Sequence, residues 1–293
     1  MPSTAQTGYD PYLGVALYNT KIKIYPDGRK NIIYSNRQRF HPEAEKDEDN
    51  ADDLRDYRTD GSEQLSDGED IRGAPDAERT DTFREDVLKR NRERVFDIVF
   101  CNEWSWFLTI TFDPKKVDSS NVSLVMKKLN TWLYNRVNRD GLRYILVPER
   151  FKKTNGIHCH ALINDAVDTT YSGRIRWGKK SYTEDSARRF GFDYTDADKI
   201  YNVPDWGYGF STALPITENA GKLSVYLTKY ITKGNDRIFG RYYWSSRNID
   251  REPYIEYTNS PYDEIDLPEF EIPGTGYKVK YDQQMEYTRG NGG

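Results

Sequence analysis

Hydrophobic and polar positions along the chain predict short strands mixed with amphipathic helices. Two β-rich runs, Val15–Tyr25 and Asn31–Tyr34, flank the turn sequence Pro26-Asp27-Gly28, so residues 11–40 predict a β-hairpin. Farther along, β-rich runs predict strands at residues 104–112, 143–147, 157–163 and 240–246. Apolar residues at helical spacing predict helices from Asp81, over Asn121–Asn138 and at about 217–233. Residues 164–215, rich in Gly, Tyr, Trp and basic residues, are expected to form an irregular insertion.

The order of these elements after the first helix is strand, helix, strand, strand, insertion, helix, strand. Short connections fold a βαββαβ chain into an antiparallel sheet covered by helices. The predicted fold class is therefore α+β: a ferredoxin-like or RRM-like antiparallel sheet with helices on one face.

Charge divides the chain into four predicted segments. Residues 41–81 contain 16 acidic and 5 basic residues and few aliphatic ones, which predicts a disordered acidic segment. Residues 250–293 contain 10 acidic and 4 basic residues and are expected to be an acidic C-terminal tail. The other residues, 34 basic against 21 acidic, form the hairpin extension (1–40) and a cationic main domain (82–249), as expected of a phosphate-binding surface.

Composition excludes several other classes of protein. The longest apolar runs, such as Val95–Cys101, are far shorter than the roughly 20 residues of a membrane span. The N-terminus lacks the basic start and apolar core of a signal peptide. Two cysteines build neither a disulfide framework nor a four-thiolate zinc site. We therefore expect a cytoplasmic protein with no membrane partner.

The chain has three histidines, and two of them lie in the predicted strand Gly156-Ile-His158-Cys159-His160. Residues two apart in a strand point to the same face, so His158 and His160 form half of a metal site while Cys159 points away. Glu149 ends the preceding strand and can supply a carboxylate oxygen. Two nitrogens and one oxygen leave coordination positions open, as a catalytic metal requires, and this ligand set also suits zinc. The alternative reading is two solvent-facing histidines and a surface carboxylate.

Candidate nucleophiles lie on the last predicted helix. At about 100° per residue, Tyr226, Lys229, Tyr230 and Lys233 fall on one face, beside an apolar stripe that includes Leu227. A nearby ammonium favours the phenolate form and binds phosphate. Attack of a phenolate on a phosphodiester is covalent catalysis. The alternative reading is a pair of aromatic residues that only stabilise the helix.

A basic run within the insertion resembles a phosphate-binding loop. Gly173–Lys180 nearly matches G-x-x-x-x-G-K-[ST], but Lys180 replaces the hydroxyl residue that contacts magnesium, which argues against an NTPase. We expect the basic residues of this run to bind the phosphates of a nucleic-acid backbone and its tryptophan to stack on bases. Its predicted DNA-binding residues are Arg174, Arg176, Trp177, Lys179 and Lys180.

Three motifs now stand in order: Phe107–Phe112, then Glu149 with His158-Cys-His160, then Tyr226-xx-Lys229-Tyr230-xx-Lys233. Together they resemble the motifs of HUH-class rolling-circle replication initiators, in which U is an apolar residue. The doubled tyrosine looks most like the two-tyrosine replication proteins of single-stranded DNA phages and related plasmids. The resemblance covers roughly residues 104–247.

The resemblance implies a metal-dependent endonuclease that nicks and rejoins single-stranded DNA at a replication origin. Mg²⁺ or Mn²⁺ would be held by Glu149, His158 and His160, and Tyr226 and Tyr230 would be the nucleophiles. Each nick would leave a 5′-phosphotyrosine and a free 3′-hydroxyl. A host helicase and polymerase would be partners, and a prokaryotic cytoplasm the location.

Two alternatives remain open. The first is a non-catalytic DNA-binding or regulatory protein with a ferredoxin-like sheet, which would form no covalent adduct with DNA. The second is another HUH enzyme. Relaxases, however, place their tyrosines before the histidines, and transposases of this chemistry usually carry one tyrosine.

Overall fold

The computed structural model describes residues 8–10, 15–42, 77–217, 227, 238–272 and 276–283. These residues divide into two compact units, one built from the two ends of the chain and one from residues 84–253. Helix α1 (Ala77–Cys101) begins before that boundary and continues into the second unit. No helix in the described ranges has the length and apolarity needed to cross a membrane.

The first unit is an antiparallel sheet that joins the N-terminal hairpin to residues near the C-terminus. Its strands are β1 (Gly8–Asp10), β2 (Val15–Ile24), β3 (Lys30–Pro42), β12 (Tyr254–Thr258), β13 (Glu269–Ile272) and β14 (Tyr277–Gln283). Strand β14 pairs with β3, and β12 pairs with β2. Residues 250–293 were expected to be a tail, yet they contribute three strands here. Long-range pairing of this kind has no local signature in a sequence.

The second unit is built on an eight-stranded antiparallel sheet in the order β11-β5-β6-β4-β10-β9-β7-β8. Its elements are β4 (Trp106–Phe112), α2 (Val122–Asp140), β5 (Tyr144–Arg150), β6 (Ile157–Ile163), β7 (Thr170–Trp177), β8 (Lys180–Thr183), α3 (Glu184–Arg189), β9 (Lys199–Asn202), β10 (Gly209–Pro215) and β11 (Trp244–Ser245). The predicted α+β class with an antiparallel sheet is confirmed. The residues expected to be irregular, 164–215, instead extend the sheet with four strands.

Helices cover both faces of this sheet, not one face as predicted. On one face, Val125, Leu129 and Trp132 of α2 pack against Leu108, Cys159 and other residues of the central strands. On the other face, Val95, Ile98 and Val99 of α1 pack with Ile145, Val147 and Leu162. Every residue of β6 is buried, and a strand buried on both faces needs cover on both.

Local signals fix the ends of α2. The Asn121 side chain accepts a hydrogen bond from the Leu124 N–H, which satisfies one of the free donors of the first turn. Gly141 ends the helix with a φ of 71°, a left-handed conformation that favours glycine. The chain then enters β5, which carries Glu149 near its end.

Parts of the predicted scheme lie outside the described residues. Of the acidic segment 41–81, residues 43–76 are outside them, whereas residues 41 and 42 belong to β3 and residues 77–81 to α1. Of the last predicted helix, residues 217 and 227 are described: Thr217 is not helical and Leu227 is. Tyr226, Lys229, Tyr230 and Lys233 all lie outside the described residues.

Candidate metal centre

The metal centre predicted from the histidine motif lies in the middle of the second sheet. Strand β6 pairs with β4 on one side and β5 on the other, and its alternation sends His158 and His160 to the same face. Cys159 points to the opposite face, where it is fully buried beneath α2. Burial raises the pKa of the Cys159 thiol, and its position on the opposite face makes this residue a core side chain and not a sulfur ligand.

Strand pairing brings Glu149 to the histidines. Glu149 of β5 lies directly opposite His158 of β6. Its Oε2 atom is 3.2 Å from His158 Nε2 and 3.3 Å from His160 Nε2. Glu149, His158 and His160 together form a group whose ligand atoms all lie within 4.8 Å of one another. The three predicted ligands are therefore adjacent, although they come from two strands.

The donor set and its spacing fit a divalent cation. Bonds of about 2.1 Å from one ion to adjacent ligands place those ligands roughly 3.0–3.4 Å apart, for octahedral to tetrahedral angles. The two histidine-to-glutamate distances fall in that range. Two imidazole nitrogens are typical ligands of zinc and other transition metals, and a carboxylate oxygen also suits magnesium and manganese. Three ligands leave coordination positions for a substrate oxygen. These three residues could hold a divalent metal, whose identity the geometry leaves open.

Neighbouring side chains hold the two imidazoles in place. The ring of Phe151 stacks on His158 at a centroid distance of 4.1 Å, and that of Phe107 stacks on His160 at 5.8 Å. Thr109 Oγ1 lies 3.0 Å from His160 Nδ1, within hydrogen-bonding distance. The histidines are only 7% and 8% exposed, whereas Glu149 is partly exposed, so the centre opens on the glutamate side.

Register arranges this face of the sheet in cross-strand rows. One row contains Glu149, His158, Thr111 and Phe210, taken in order across β5, β6, β4 and β10. The next row contains Val147, His160, Thr109 and Thr212 in the same strand order. Side chains paired in this way lie on the same face of a sheet. The polar groups of the centre therefore occupy two neighbouring rows.

A third cross-strand row contains Ile145, Leu162 and Phe107, and in this row the sheet face is covered by a helix. Ile145, Leu162 and Phe107 of this row pack against α1, together with Leu227. Leu227 is fully buried in this cluster, so this residue of the predicted tyrosine helix packs on the same sheet face as His158 and His160. The covered end lies beside the centre, and at the opposite end Phe210 is exposed.

The predicted DNA-binding residues lie apart from the metal centre. Arg174, Arg176, Trp177, Lys179 and Lys180 are all exposed on the β7–β8 hairpin, whose turn contains Gly178 with a φ of 61°. The run that resembles a phosphate-binding loop in sequence therefore belongs to a β-hairpin. Strand β8 is five positions from β6 in the sheet, roughly 24 Å at about 4.8 Å per strand.

Four residues near the centre were given no individual site role from the sequence, although the first two belong to the motif Phe107–Phe112: Phe107, Thr109, Phe151 and Phe210. Alternation within β4 already indicated that Phe107, Thr109 and Thr111 share a face. Which residues of β6 and β10 they would meet depends on register, and register follows from pairing that the local sequence does not encode.

Fold and site together define an α+β protein whose antiparallel sheet carries a candidate divalent-metal centre. Residues 105–235 match the model of the family Replication-associated protein ORF2/G2P, a family of the rolling-circle replication initiator type. This segment is less than half of the chain and contains the β4 strand, the three candidate ligands and the tyrosine segment. No curated protein and no solved structure gives a significant match to the chain.

Proposed function

We propose that this protein initiates rolling-circle DNA replication by nicking single-stranded DNA at an origin and later rejoining it. The observation that carries the proposal is the group Glu149, His158 and His160, whose ligand atoms lie within 4.8 Å on one sheet face. The family match over residues 105–235 supports a role in replication and contains all the residues that the chemistry requires. Unwinding and synthesis are left to a helicase and a polymerase.

In the proposed reaction, Glu149, His158 and His160 bind the cation, which when bound polarises the scissile phosphodiester. The phenolate oxygen of Tyr226 or Tyr230 attacks the phosphorus. The bond between phosphorus and the 3′ oxygen breaks, and that oxygen takes up a proton to become a free 3′-hydroxyl. The DNA stays attached through a 5′-phosphotyrosine, which keeps the energy of the phosphodiester for rejoining. Lys229 and Lys233 would favour the phenolate by charge.

The packing of Leu227 supports the proposed role of the neighbouring tyrosines in sequence. Leu227, next to Tyr226 in sequence, packs against Leu162 and its neighbours on the face that carries the histidines. Leu162 is two residues from His160 along β6, so the two side chains share that face. We further propose that the β7–β8 hairpin binds the DNA backbone away from the nick through Arg174, Arg176, Trp177, Lys179 and Lys180.

The test is covalent capture of DNA. The protein is incubated with a labelled pool of single-stranded oligonucleotides of random sequence in Mn²⁺, and adducts are separated on a denaturing gel. We expect a labelled protein band whose DNA sequences converge on one cleaved site. The band should disappear in EDTA and in the His158→Ala and His160→Ala variants while their circular dichroism stays that of the wild type. Adducts formed by the double His→Ala variant in EDTA would refute the metal centre.

A further inference from the structure

One aromatic side chain beside the metal centre has no role in the chemistry proposed above. Phe210 is 67% exposed, although it belongs to β10, an interior strand of the eight-stranded sheet. It stands in the same cross-strand row as Glu149 and His158, separated from His158 only by Thr111. Two strand spacings place its backbone roughly 10 Å from that of His158.

The surroundings of Phe210 leave its ring accessible. Thr111 and Thr212 beside it are small and polar, and neither is buried. Gly209 precedes it, and a β-carbon there would overlap the backbone carbonyl oxygen of Thr111, so β10 lies tightly against β4 at this point. The Thr111 hydroxyl also donates a hydrogen bond to the Phe210 carbonyl oxygen. The backbone of Phe210 is thus held in place while its ring faces outward.

The edge of the sheet next to this row carries exposed lysines on two loops, of which the loop after β4 also carries Asp113 and Asp118. The loops after β4 and β5 carry Lys115, Lys116, Lys152 and Lys153, all exposed. These loops meet at the same end of the sheet, because the Ile157 N–H donates to the Ser119 carbonyl oxygen. An exposed ring with lysines on the loops at the adjoining end of the sheet suits single-stranded nucleic acid, with phosphates on the charges and a base on the ring.

We propose that Phe210 is a stacking platform for a base of the DNA strand next to the scissile phosphate. The inference rests on the proposed function for the direction of the strand, which would run from the metal centre over Thr111 to Phe210. Stacking requires only a planar base, so Phe210 positions the strand without selecting its sequence. Phe210 is a positioning residue and takes no part in bond breaking.

Binding without cleavage tests this inference. A fluorescein-labelled oligothymidylate is titrated with protein in EDTA, and anisotropy reports the dissociation constant. Loss of one base–aromatic stack weakens binding by about 5- to 150-fold, which is the effect expected of Phe210→Ala. Phe210→Trp should bind as tightly as the wild type or more tightly. Phe210→Leu should resemble Phe210→Ala, because leucine is apolar but cannot stack.

Tyr134 provides a matched control. It is 71% exposed and belongs to α2, which covers the opposite face of the same sheet, so Tyr134→Ala should leave the dissociation constant unchanged. As a direct readout, oligothymidylate carrying 5-iododeoxyuridine is irradiated with the protein, and the crosslinked peptide is identified by mass spectrometry. We expect the crosslink at Phe210.

The outcomes separate this inference from the proposed function. Unchanged binding by Phe210→Ala, equal loss in Tyr134→Ala, or a crosslink confined to other peptides would each overturn the stacking platform. A wild-type protein that crosslinks through Phe210 yet forms no adduct in Mn²⁺ would refute nicking and leave the platform intact. Adduct formation by the wild type together with full binding by Phe210→Ala would refute the stacking platform and leave nicking intact.

Discussion

Thr109 allows a direct test of how the sheet orients His160, one of the three candidate metal ligands. Its Oγ1 atom lies 3.0 Å from His160 Nδ1, and the Nε2 atom of the same ring lies 3.3 Å from Glu149. In the tautomer that leaves Nε2 free to bind a cation, Nδ1 carries the proton. The Nδ1–H group then donates a hydrogen bond to the threonine oxygen. The Thr109 hydroxyl can therefore serve the metal-binding tautomer as an acceptor, and its contact with Nδ1 fixes the plane of the ring.

Thr109→Val replaces the hydroxyl by a methyl group of similar size and removes the acceptor. His160 is only 8% exposed, so water replaces that acceptor poorly. Loss of an outer partner of this kind lowers metal affinity by about 10- to 100-fold, equal to about 1.4–2.8 kcal/mol. A buried donor left without its acceptor costs a similar amount, about 1–3 kcal/mol.

The assay is a Mn²⁺ titration of adduct formation, supported by direct Mn²⁺ binding measured by electron paramagnetic resonance. Thr109→Val should raise the half-saturating Mn²⁺ concentration by about 10- to 100-fold and regain most activity at saturation. Thr109→Ser should behave like the wild type. Thr212→Val is the control, because Thr212 pairs with Thr109 on the same face but is exposed. An unchanged Mn²⁺ requirement in folded Thr109→Val would refute the role of the Thr109 hydroxyl in orienting the His160 ring for metal binding.

Four further outcomes are expected. Replacing residues 43–76 with an uncharged Gly/Ser linker of equal length should preserve nicking and tighten DNA binding at low salt, because a strongly acidic segment repels DNA; loss of cleavage in the folded variant would contradict this. The Tyr226→Phe and Tyr230→Phe double variant should form no adduct, with Tyr226→Phe alone causing the larger loss on a short oligonucleotide; an adduct from the double variant would place the nucleophile elsewhere. Cys159 should resist thiol reagents in the native protein and react after unfolding, because it is fully buried and its pKa is raised, as mass spectrometry of the labelled peptide would reveal. Gly209→Ala should lower the melting temperature in calorimetry by several degrees, because its β-carbon would overlap backbone atoms of β4; an unchanged melting temperature would show that β10 can shift at no cost.

The grouping of the three candidate metal ligands was predictable because its information is local. His158 and His160 are two residues apart in a strand, and alternation alone places them on one face. Glu149 could be proposed because a short loop connects its strand to theirs. Thr109 and Phe210 could not be placed, because β4 and β10 are far from β6 in sequence and their register arises from the fold.

The two helix layers were harder to predict for a different reason. Helix α1 is amphipathic, and its periodicity indicates that one face is buried but not which surface covers it. The burial of both faces of β6 is what requires α1 on one side and α2 on the other. A sequence read element by element gives each helix an apolar face and leaves its partner undetermined.

The register of β6 determines which of its side chains face the candidate site. A one-residue slip of β6 against its neighbours would send His158 and His160 under α2 and bring Cys159 to the metal face. The apolar side chains of β6 oppose that slip. Cys159, Ala161 and Ile163 fill the core under α2, while Leu162 fills the core that contains α1 and Leu227. The same packing that stabilises the sheet therefore holds two imidazoles beside Glu149, at the boundary where the covered surface ends.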